Sequence, residues 1–410
     1  MMPTMEEPRV VVTGLGAVSP FGIGVDTFWD SLVQGKSAMR PIEGFDATVF
    51  RSVYGAEVPT KVYQDRETRA ACGNPAEDAA YLLELAASEA LCDAGVGPVF
   101  ADSDRVGCVL GTLCAGARSM LSIARSYAAN RPLDPGLPVE SALVSYQIEF
   151  FAKLHNLTGP STVVSTACAS TTDAIGHAFD LIRNRECDRA IAGGADILAE
   201  GIHGGFNSLF SVTTQSPRPF DKDRDGFILG EGAGVLYLET LESARSRQAP
   251  IYAEVLGYGL SNSAFHLTAT SEDGTGEALA KRRALESAGL APEAIDHINT
   301  HGTATHHNDA SEIRAIKAVF GSDRRILATA NKAAIGHCMG AAGIMEALAT
   351  ILALYRQTVP PTLNTEANEE GIPFDLVTGE ARHAAMRYAI SESFGFGGAC
   401  SCAVFARIGD

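Results

Sequence analysis

Segments with the residue pattern of β-strands alternate with segments typical of α-helices along the whole chain. The strand candidates are short β-branched runs that end in glycine or a polar turn, and the helix candidates are longer and amphipathic. The predicted strands are residues 9–13, 106–110, 161–165, 189–192, 234–238, 251–257, 294–300, 325–329, 388–393 and 400–408. The predicted helices are residues 75–94, 170–183, 275–288, 308–320 and 339–355. This alternation predicts an α/β fold with a largely buried sheet.

Composition and charge exclude several other classes of protein. The chain has 410 residues, of which 46% are hydrophobic and 20% charged, the balance of a globular protein. Its formal charge of −17 does not favour binding to nucleic acid or to an anionic membrane. The first residues lack the pattern of a secretory signal, and the best apolar stretch, residues 340–355, contains Glu346. We therefore expect a cytoplasmic protein without a membrane span.

One of the nine cysteines stands in a distinctive context. The number is odd and no C-x-x-C pair occurs, which is typical of free thiols in a reducing cytosol. Cys168 lies between the strand candidate 161–165 and the helix candidate 170–183. This order places its sulfur near the positive end of a helix, where unpaired backbone N–H groups favour a thiolate. Cys168 is therefore a candidate nucleophile, and a buried structural thiol is the alternative.

Two histidines and a glycine-rich segment lie in loops of related design. His301 follows a strand candidate in HINTHGTAT, and His337 lies with Lys332 in NKAAIGHCMGAAG, which opens another helix. The segment SFGFGG from Ser393 is either a tight hairpin or a loop whose backbone approaches a ligand closely. A cysteine at a helix start together with two histidines in such loops indicates acyl transfer through a thioester.

Two other motifs favour structural turns over ligand sites. Residues 14–16, Gly-Leu-Gly, follow a strand, but the third position of a dinucleotide-binding loop falls on Ser19, with a proline after it. We expect a tight turn there. Residues 221–226 match the first half of a calcium loop, but the twelfth position is Gly232 instead of a glutamate. We expect a structural charged turn at this second motif.

Five segments together resemble the elongating β-ketoacyl-ACP synthases of the thiolase superfamily. They are TACAS around Cys168, RPFDKDRDGFILGEGAG from Arg218, HGTAT from His301, NKAAIGHCMGAAG from Asn331 and SFGFGG from Ser393. They occur in the family's order, and the resemblance runs from about residue 9 to residue 406. It implies a thiolase-like five-layered αβαβα sandwich of two similar halves, which is usually a dimer.

The expected halves divide the candidate residues between them. Residues 1–260 would form the half with the nucleophilic cysteine. Residues 261–410 would form the half with both histidines and the glycine-rich loop. The polar segment 257–273, rich in Gly, Ser and Asn, is the expected boundary.

The resemblance implies a role for each residue of the expected centre. Cys168 would receive the acyl chain. His301 and His337 would bind the malonyl thioester carbonyl, promote decarboxylation and stabilise the enolate. Lys332 would hold the histidines in place through an ion pair with Glu312. Neutral imidazoles suit this task because decarboxylation builds negative charge on an oxygen, which needs hydrogen-bond donors rather than a base.

The resemblance also implies residues around this centre. The backbone N–H groups of Cys168 and Phe396 would form the oxyanion hole, and Thr303 and Thr305 would contact the phosphopantetheine arm. Cys114 and Phe396 would stand at the gate of the acyl pocket, with Cys114 in place of the family's usual Ile or Gly. No metal or redox cofactor is implied.

Docking of the carrier protein departs from the family's pattern. The usual basic cluster before the helix near residue 78 is absent, and the nearest basic residues are Lys61, Arg66 and Arg69. A family arginine for the carrier falls on Phe210. Since carrier proteins of this family are acidic, we expect a local basic patch of Lys61, Arg66 and Arg69 to receive the carrier.

The implied reaction is a decarboxylative Claisen condensation of the Cys-bound acyl chain with malonyl-ACP, which yields β-ketoacyl-ACP. It would serve a type II polyketide, polyene or fatty acid pathway. The expected partners are an acyl carrier protein and a second subunit, either identical or a related ketosynthase-like chain. Two alternatives stay open: a catalytically silent chain-length partner, which normally lacks the nucleophile, and a CoA-dependent thiolase, which carries a second cysteine where this chain has Phe396.

Overall fold

The first half of the chain forms five neighbouring strands of a central sheet and the helices that cover them. The structure is a computed structural model that describes residues 7–73, 75–322, 326–368 and 371–409. The strands of this half are β1 Val10–Ser19, β2 Gly22–Ile23, β3 Arg40–Pro41, β4 Tyr54–Ala56, β5 Val106–Gly111, β6 Ser161–Val164, β7 Arg189–Asp196, β8 Leu229–Gly230 and β9 Gly232–Thr240. The helices are α1 Val25–Val33, α2 Thr60–Gln64, α3 Arg66–Ala71, α4 Asp78–Asp93, α5 Ala117–Ala128, α6 Tyr146–Leu154, α7 Ser170–Arg183, α8 Glu200–Ser208 and α9 Leu241–Ser246.

The second half repeats this alternation. Its strands are β10 Ala253–Asn262, β11 His297–Asn299, β12 Ile326–Thr329, β13 Thr358–Val359, β14 Phe374–Leu376, β15 Arg382–His383, β16 Tyr388–Phe394 and β17 Ala399–Ala406. Its helices are α10 Thr275–Ala288, α11 His306–Phe320, α12 Lys332–Ile335 and α13 Ala342–Arg356. Residue 325, the first of a predicted strand, lies outside the described residues.

The two halves share one sheet topology. The strand order is β6-β5-β7-β9-β1 in the first half and β12-β11-β16-β17-β10 in the second, so equivalent strands occupy equivalent places. In each set the first two pairings are parallel and the last two are antiparallel. Antiparallel pairing of β1 with β10 joins the two sets. This repetition confirms the predicted architecture of two similar halves.

Helices α7 and α13 lie between the two sets of strands. Helix α7 contacts β5 and β7 of the first half and β17 of the second, and α13 contacts β16 as well as β9. On the outer faces, α4 covers the first set, and α10 and α11 cover the second. The layers therefore follow the order helix, sheet, helix, sheet, helix, as the predicted five-layered α/β sandwich requires.

The most apolar helix of the chain is part of the core. The stretch Met339–Arg356 is long and apolar enough to cross a membrane by length and composition, but 89% of it is buried inside the fold. Its side chains pack against strands of both halves, because α13 belongs to the central layer. A helix that is covered on all sides is expected to be hydrophobic all round.

The polar segment expected as the boundary starts as a strand. Strand β10 continues to Asn262 and pairs with β17 along its length, so the expected boundary after residue 260 lies inside this strand. The glycines of the segment serve packing: a Cβ atom at Gly259 would lie 2.2 Å from the carbonyl oxygen of Ala280 in α10. The backbone of α10 therefore lies directly on β10, which only glycine permits.

Residues 14–16 do not form the tight turn that the sequence predicted. They continue β1, which runs from Val10 to Ser19. A Cβ atom at Gly16 would lie 1.8 Å from the carbonyl oxygen of Ala86, so this glycine allows α4 to cross the strand closely. At the second motif, the Asp221 carboxylate accepts hydrogen bonds from three backbone N–H groups, as expected of a structural turn.

Candidate active site

Cys168 lies at a sharp turn between β6 and α7. Residues 167–169 form one 3₁₀ turn, and Ala167 adopts a positive φ of 54°. Such a φ is strained for a residue with a Cβ atom, and strain of this kind concentrates at functional sites. The side chain of Cys168 is buried, with 4% of the residue exposed. The sequence-predicted position of Cys168 directly before a helix is therefore correct.

His337 points at the sulfur of Cys168. Its Nε2 atom lies 3.1 Å from Sγ. The backbone N–H of Met339 donates a hydrogen bond to His337 Nδ1 over 3.2 Å. Because Nδ1 accepts, the hydrogen of a neutral His337 ring is on Nε2. The side chain is thus held as a donor that faces Cys168.

His301 is held in the same tautomer by a different group. The Nζ atom of Lys332 lies 3.1 Å from His301 Nδ1, and the same ammonium donates to the backbone carbonyl oxygen of His301. Since an ammonium only donates, Nδ1 accepts, and Nε2 carries the hydrogen. The rings of His301 and His337 meet edge to face, with 5.5 Å between centroids.

Both histidines are neutral at physiological pH. Burial lowers the pKa of each imidazole well below its usual value, and the nearby charge of Lys332 lowers both pKa values further. Two neutral rings with Nε2–H groups in one site form a pair of fixed hydrogen-bond donors. Such a pair is suited to an oxygen on which negative charge develops.

The expected ion pair between Lys332 and Glu312 is wrong. Lys332 pairs with Glu346, which lies on the buried helix α13. Glu312 instead accepts hydrogen bonds from the backbone N–H groups of His301, over 2.6 Å, and of Gly302, over 2.9 Å. It therefore supports His301 from the main chain, whereas Glu346 supports it through Lys332.

The Cys168 thiol is protonated at rest. Burial raises the pKa of Cys168 to about 12, although the charge of Lys332 and the backbone N–H of Phe396 lower it. The predicted thiolate at the helix start is therefore not the resting form, because desolvation outweighs the favourable groups. The Phe396 N–H donates toward the sulfur. The backbone N–H of Phe396 thus lies beside the Cys168 sulfur.

A cavity of about 110 Å³ opens onto these side chains. It contains the predicted residues Thr303 and Thr305, whose hydroxyl oxygens are 2.9 Å apart. Its lining is formed by both halves of the chain and consists of Cys168, Phe206, Ser211, Phe227, Thr268, Ala269, Thr270, His301, Thr303, Thr305, His307, Asn308, His337, Phe394, Gly395 and Phe396. The sequence analysis assigned no role to Phe206, Phe227 or the segment 268–270; of these, only Phe227 lies in one of the motifs. Among the described residues, no group of three or more His, Cys, Asp or Glu side chains is arranged to hold a metal ion.

Cys114 lies in an apolar cluster that adjoins the cavity. The loop that carries it follows β5 and is held by Asp196, which accepts the backbone N–H groups of Leu113 and Cys114. Cys114 Sγ lies 3.6 Å from the sulfur of Met339. The cluster also contains Leu198, Phe206, Val212, Phe227, Leu229 and, at its edge, Phe396. Cys114 and Phe396 thus share one apolar region, as expected of a gate, while Cys114 is not part of the cavity lining.

The three basic residues expected to receive a carrier protein are not equivalent. Lys61 on α2 and Arg66 on α3 are exposed. Arg69 is half-buried, forms an ion pair with Asp78 at 3.0 Å and lies over the ring of Tyr81. It also donates to the carbonyl oxygen of Pro75. Arg69 therefore anchors the start of α4 and is not a free docking residue.

Comparison with known proteins identifies the family. Residues 7–244 match the model of the β-ketoacyl synthase N-terminal domain, and residues 252–366 match that of the C-terminal domain. The 3-oxoacyl-[acyl-carrier-protein] synthase 2 of Vibrio harveyi is 36% identical over 99% of this chain and 100% of its own length. The chloroplastic 3-oxoacyl-[acyl-carrier-protein] synthase I of Hordeum vulgare is 37% identical over 97% of this chain and 89% of its own length.

Solved structures give the same result. The ishigamide ketosynthase/chain length factor has a TM-score of 0.91 and 35% identity, covering 98% of this chain and 100% of that chain. A ketosynthase in complex with its type II polyketide acyl-carrier protein has a TM-score of 0.88 and 30% identity, with the same coverage. The chain belongs to the β-ketoacyl synthase family. It is a condensing acyltransferase of the ketosynthase type.

Proposed function

We propose that this protein elongates an acyl chain by decarboxylative Claisen condensation, with Cys168 as the acyl acceptor. In the first half-reaction the Cys168 sulfur attacks an acyl thioester, a new thioester forms, and the released carrier thiol takes the proton. In the second, a malonyl thioester loses CO₂, and the resulting enolate carbon attacks the acyl group on Cys168. The Cys168 sulfur leaves as a thiolate and takes a proton from water to restore the thiol, and a β-ketoacyl thioester remains on the carrier.

The observation that carries this proposal is the convergence of His301 and His337 on Cys168 in one cavity. Both rings aim a neutral Nε2–H group into this site. During decarboxylation the thioester oxygen gains negative charge, and two fixed donors in a buried site stabilise that charge. The backbone N–H groups of Cys168 and Phe396 form the oxyanion hole for the acyl carbonyl. Lys332 with Glu346 holds His301 in the donor tautomer.

The substrates are thioesters on an acyl carrier protein. The relatives from Vibrio harveyi and Hordeum vulgare are named for this carrier, and a similar structure contains one. Thr303 and Thr305 contribute hydroxyl groups to the cavity, where they contact the phosphopantetheine arm. The relatives are named as 3-oxoacyl-[acyl-carrier-protein] synthases, and a similar structure belongs to a type II polyketide system; decarboxylative condensation on a carrier serves fatty acid as well as polyketide synthesis. We place this chain in the cytoplasm, in one of these pathways, as a dimer with an identical or a related ketosynthase-like subunit.

Two alternatives are less well supported by the site. A silent chain-length partner has no need of a cysteine that faces two donor histidines. A CoA-dependent thiolase needs a second reactive cysteine near the first. Cys400 is buried, directs its sulfur to the carbonyl oxygen of Gly398 and does not line the cavity.

The nucleophile is tested by intact-mass measurement of the acyl-enzyme. Cys168→Ala should abolish the acyl mass shift produced by acyl-carrier protein, because no other thiol among the described residues lines the cavity. Cys92→Ala, which removes an exposed thiol, should acylate as wild type does. Acylation that persists in Cys168→Ala and disappears in Cys400→Ala would favour the thiolase alternative.

The histidines are tested on the malonyl half-reaction. His301→Ala and His337→Ala should each lower the rate of malonyl decarboxylation by ~10²-fold or more, the scale for loss of one preorganised donor. Acylation of Cys168 should suffer less. Decarboxylation at the wild-type rate in both variants would rule out the donor role.

A further inference from the structure

A second buried lysine–glutamate pair lies behind the candidate active site. Lys281 on helix α10 and Glu392 on strand β16 are both fully buried, and Lys281 Nζ lies 2.7 Å from Glu392 Oε2. Neither side chain lines the cavity, and the proposed mechanism uses neither. Removing one partner of such a pair leaves an uncompensated buried charge. Replacing both partners by apolar residues of similar volume is often neutral for stability or stabilising. Because the Lys281–Glu392 pair lies next to His301, we expect it to affect the reaction as well as the stability of the fold.

Two intervening side chains, those of Glu312 and Phe394, connect this pair to His301. In the first connection, the buried carboxyl groups of Glu392 and Glu312 interact electrostatically, and Glu312 accepts the backbone N–H groups of His301 and Gly302. In the second, Lys281 Nζ lies 4.8 Å from the ring centroid of Phe394, and that ring packs against the ring of His301 with 5.4 Å between centroids. Glu312 therefore holds the backbone of His301 and Phe394 packs against its ring, and both of these residues interact with Lys281 or Glu392.

The charges of the cluster explain why a lysine is needed there. Glu312 and Glu392 are fully buried, and Glu277, also fully buried, adds a third carboxyl group close by. Burial and the neighbouring carboxyl group raise the pKa of Glu312 well above its usual value, while Lys281 lowers it. Without a cation the carboxyl groups would repel or take up further protons, and Glu312 would hold the His301 backbone differently.

We propose that Lys281 and Glu392 are positioning residues for the condensation reaction, acting on His301 through Glu312 and Phe394. This inference rests on the proposed function, because it assigns the pair to the malonyl half-reaction in which His301 donates. The pair does not reach Cys168, whose neighbours are His337 and Phe396. Decarboxylation should therefore depend on the pair, and acylation of Cys168 should not.

The experiment compares the two half-reactions in charge-removing variants. In Lys281→Met/Glu392→Gln, which removes both charges together, we expect malonyl-carrier decarboxylation to fall ~10-fold, with acylation of Cys168 within about 2-fold of wild type. Lys281→Arg, which keeps the cation, should restore most of the decarboxylation rate. The matched control is Glu84→Gln, which removes a buried carboxylate that bonds His155 in the other half of the molecule. It should leave the ratio of the two rates unchanged.

The possible results distinguish a failure of the positioning role from a failure of the proposed function. Equal loss of both half-reactions, or decarboxylation at the wild-type rate in the double variant, would make the pair purely structural. If Lys281→Arg is as slow as the double variant, the cation is not what matters, and the inference fails. Failure of wild-type enzyme to decarboxylate malonyl-carrier would instead contradict the proposed function itself. Should the double variant not fold, Glu392→Gln alone, with Lys281 left to pair with Glu312, gives the same comparison.

Discussion

Glu346 is the residue whose charge state matters most for the histidine pair. It lies inside α13, is almost fully buried and is the ion-pair partner of Lys332. Burial raises the pKa of Glu346 to about 7, although Lys332 lowers it. The two histidines stay neutral over the same range, since burial lowers the pKa of each well below its usual value. Near neutral pH, therefore, Glu346 titrates in this site, whereas the two imidazoles do not.

This assignment predicts the pH dependence of malonyl decarboxylation. Because the pKa of Glu346 is raised, the carboxyl group takes up a proton as pH falls through about 7, and Lys332 loses its ionic partner. We expect the rate to decrease with one ionisation near pH 7 as the solution becomes more acid. Glu346→Gln, which mimics the protonated form, should be slow and nearly independent of pH between about 6 and 8. Stopped-flow measurement of CO₂ release across this range provides the check. A decrease near pH 7 that persists in Glu346→Gln would assign the ionisation to another group.

At the scale of elements, strand β16 shows how one strand serves both sides of the site. Ser393 faces the central layer, where its hydroxyl bonds Thr172 of α7 over 2.8 Å. Glu392 and Phe394 point to the opposite face, toward α10 and α11. This follows from the two-residue period of a strand. Gly395 follows the last residue of the strand, and its missing Cβ atom lets Phe396 approach Cys168: a Cβ atom there would lie 2.7 Å from the carbonyl oxygen of Thr166.

The loop after β5 yields a prediction about acyl length. Cys114 is packed against Met339 in the apolar cluster that contains Phe396, and 7% of it is exposed. Cys114→Phe would overfill this region, at a cost of about 1–3 kcal/mol. That cost corresponds to roughly 5- to 150-fold in binding. We expect the rate of Cys168 acylation by long chains to decrease by a factor within this range, and the rate with short chains to stay near that of wild type. The measurement is a chain-length profile of Cys168 acylation; an unchanged profile would show that residue 114 does not border the acyl channel.

At the scale of the whole molecule, exposed apolar side chains surround the cavity mouth. Phe210 is 72% exposed and Leu267 is 79% exposed. Their chain neighbours Ser211 and Thr268 line the cavity. Phe210 occupies the position where the family resemblance expects an arginine, and the guanidinium of Arg51 lies 5.7 Å from the centroid of its ring. Beside the cavity, therefore, exposed apolar side chains lie next to the positive charge of Arg51, whereas Arg69 of the expected basic patch is bound to Asp78.

This surface predicts the effect of charge reversal on carrier recognition. Arg51→Glu should raise the KM for carrier-bound substrate about 5-fold or more, because rim charges act on encounter with a charged partner. The KM for a small thioester mimic, which needs no carrier docking, should be the same in this variant as in wild type. Lys317→Glu makes the same charge change at an exposed position near the end of α11 and serves as the control. An equal effect of Arg51→Glu on both substrates would contradict docking at the mouth, and a larger effect of Arg66→Glu would place it on α3.

The sequence alone determined the fold class and most core elements. Helices α7 and α10 begin and end at the predicted residues, because their amphipathic pattern and flanking turns are local signals. Short motifs also predicted that Cys168, His301, His337 and Lys332 belong to one site, since glycine-flanked loops after strands meet at the same edge of a sheet. Helices α1, α6 and α8 escaped prediction because each has only nine residues, which gives a weak periodic signal.

Only the tertiary structure decided which charged groups meet. Glu312 and Glu346 both lie near Lys332 in the sequence, and spacing could not tell that the partner is the one on the central helix α13. The same holds for Lys281 and Glu392, which are more than a hundred residues apart and carry no motif. The state of Cys168 was decided in the same way: the helix start favours a thiolate, but the depth of burial raises its pKa to about 12. Pairing and desolvation depend on distances between segments, and a sequence pattern specifies only the local chain.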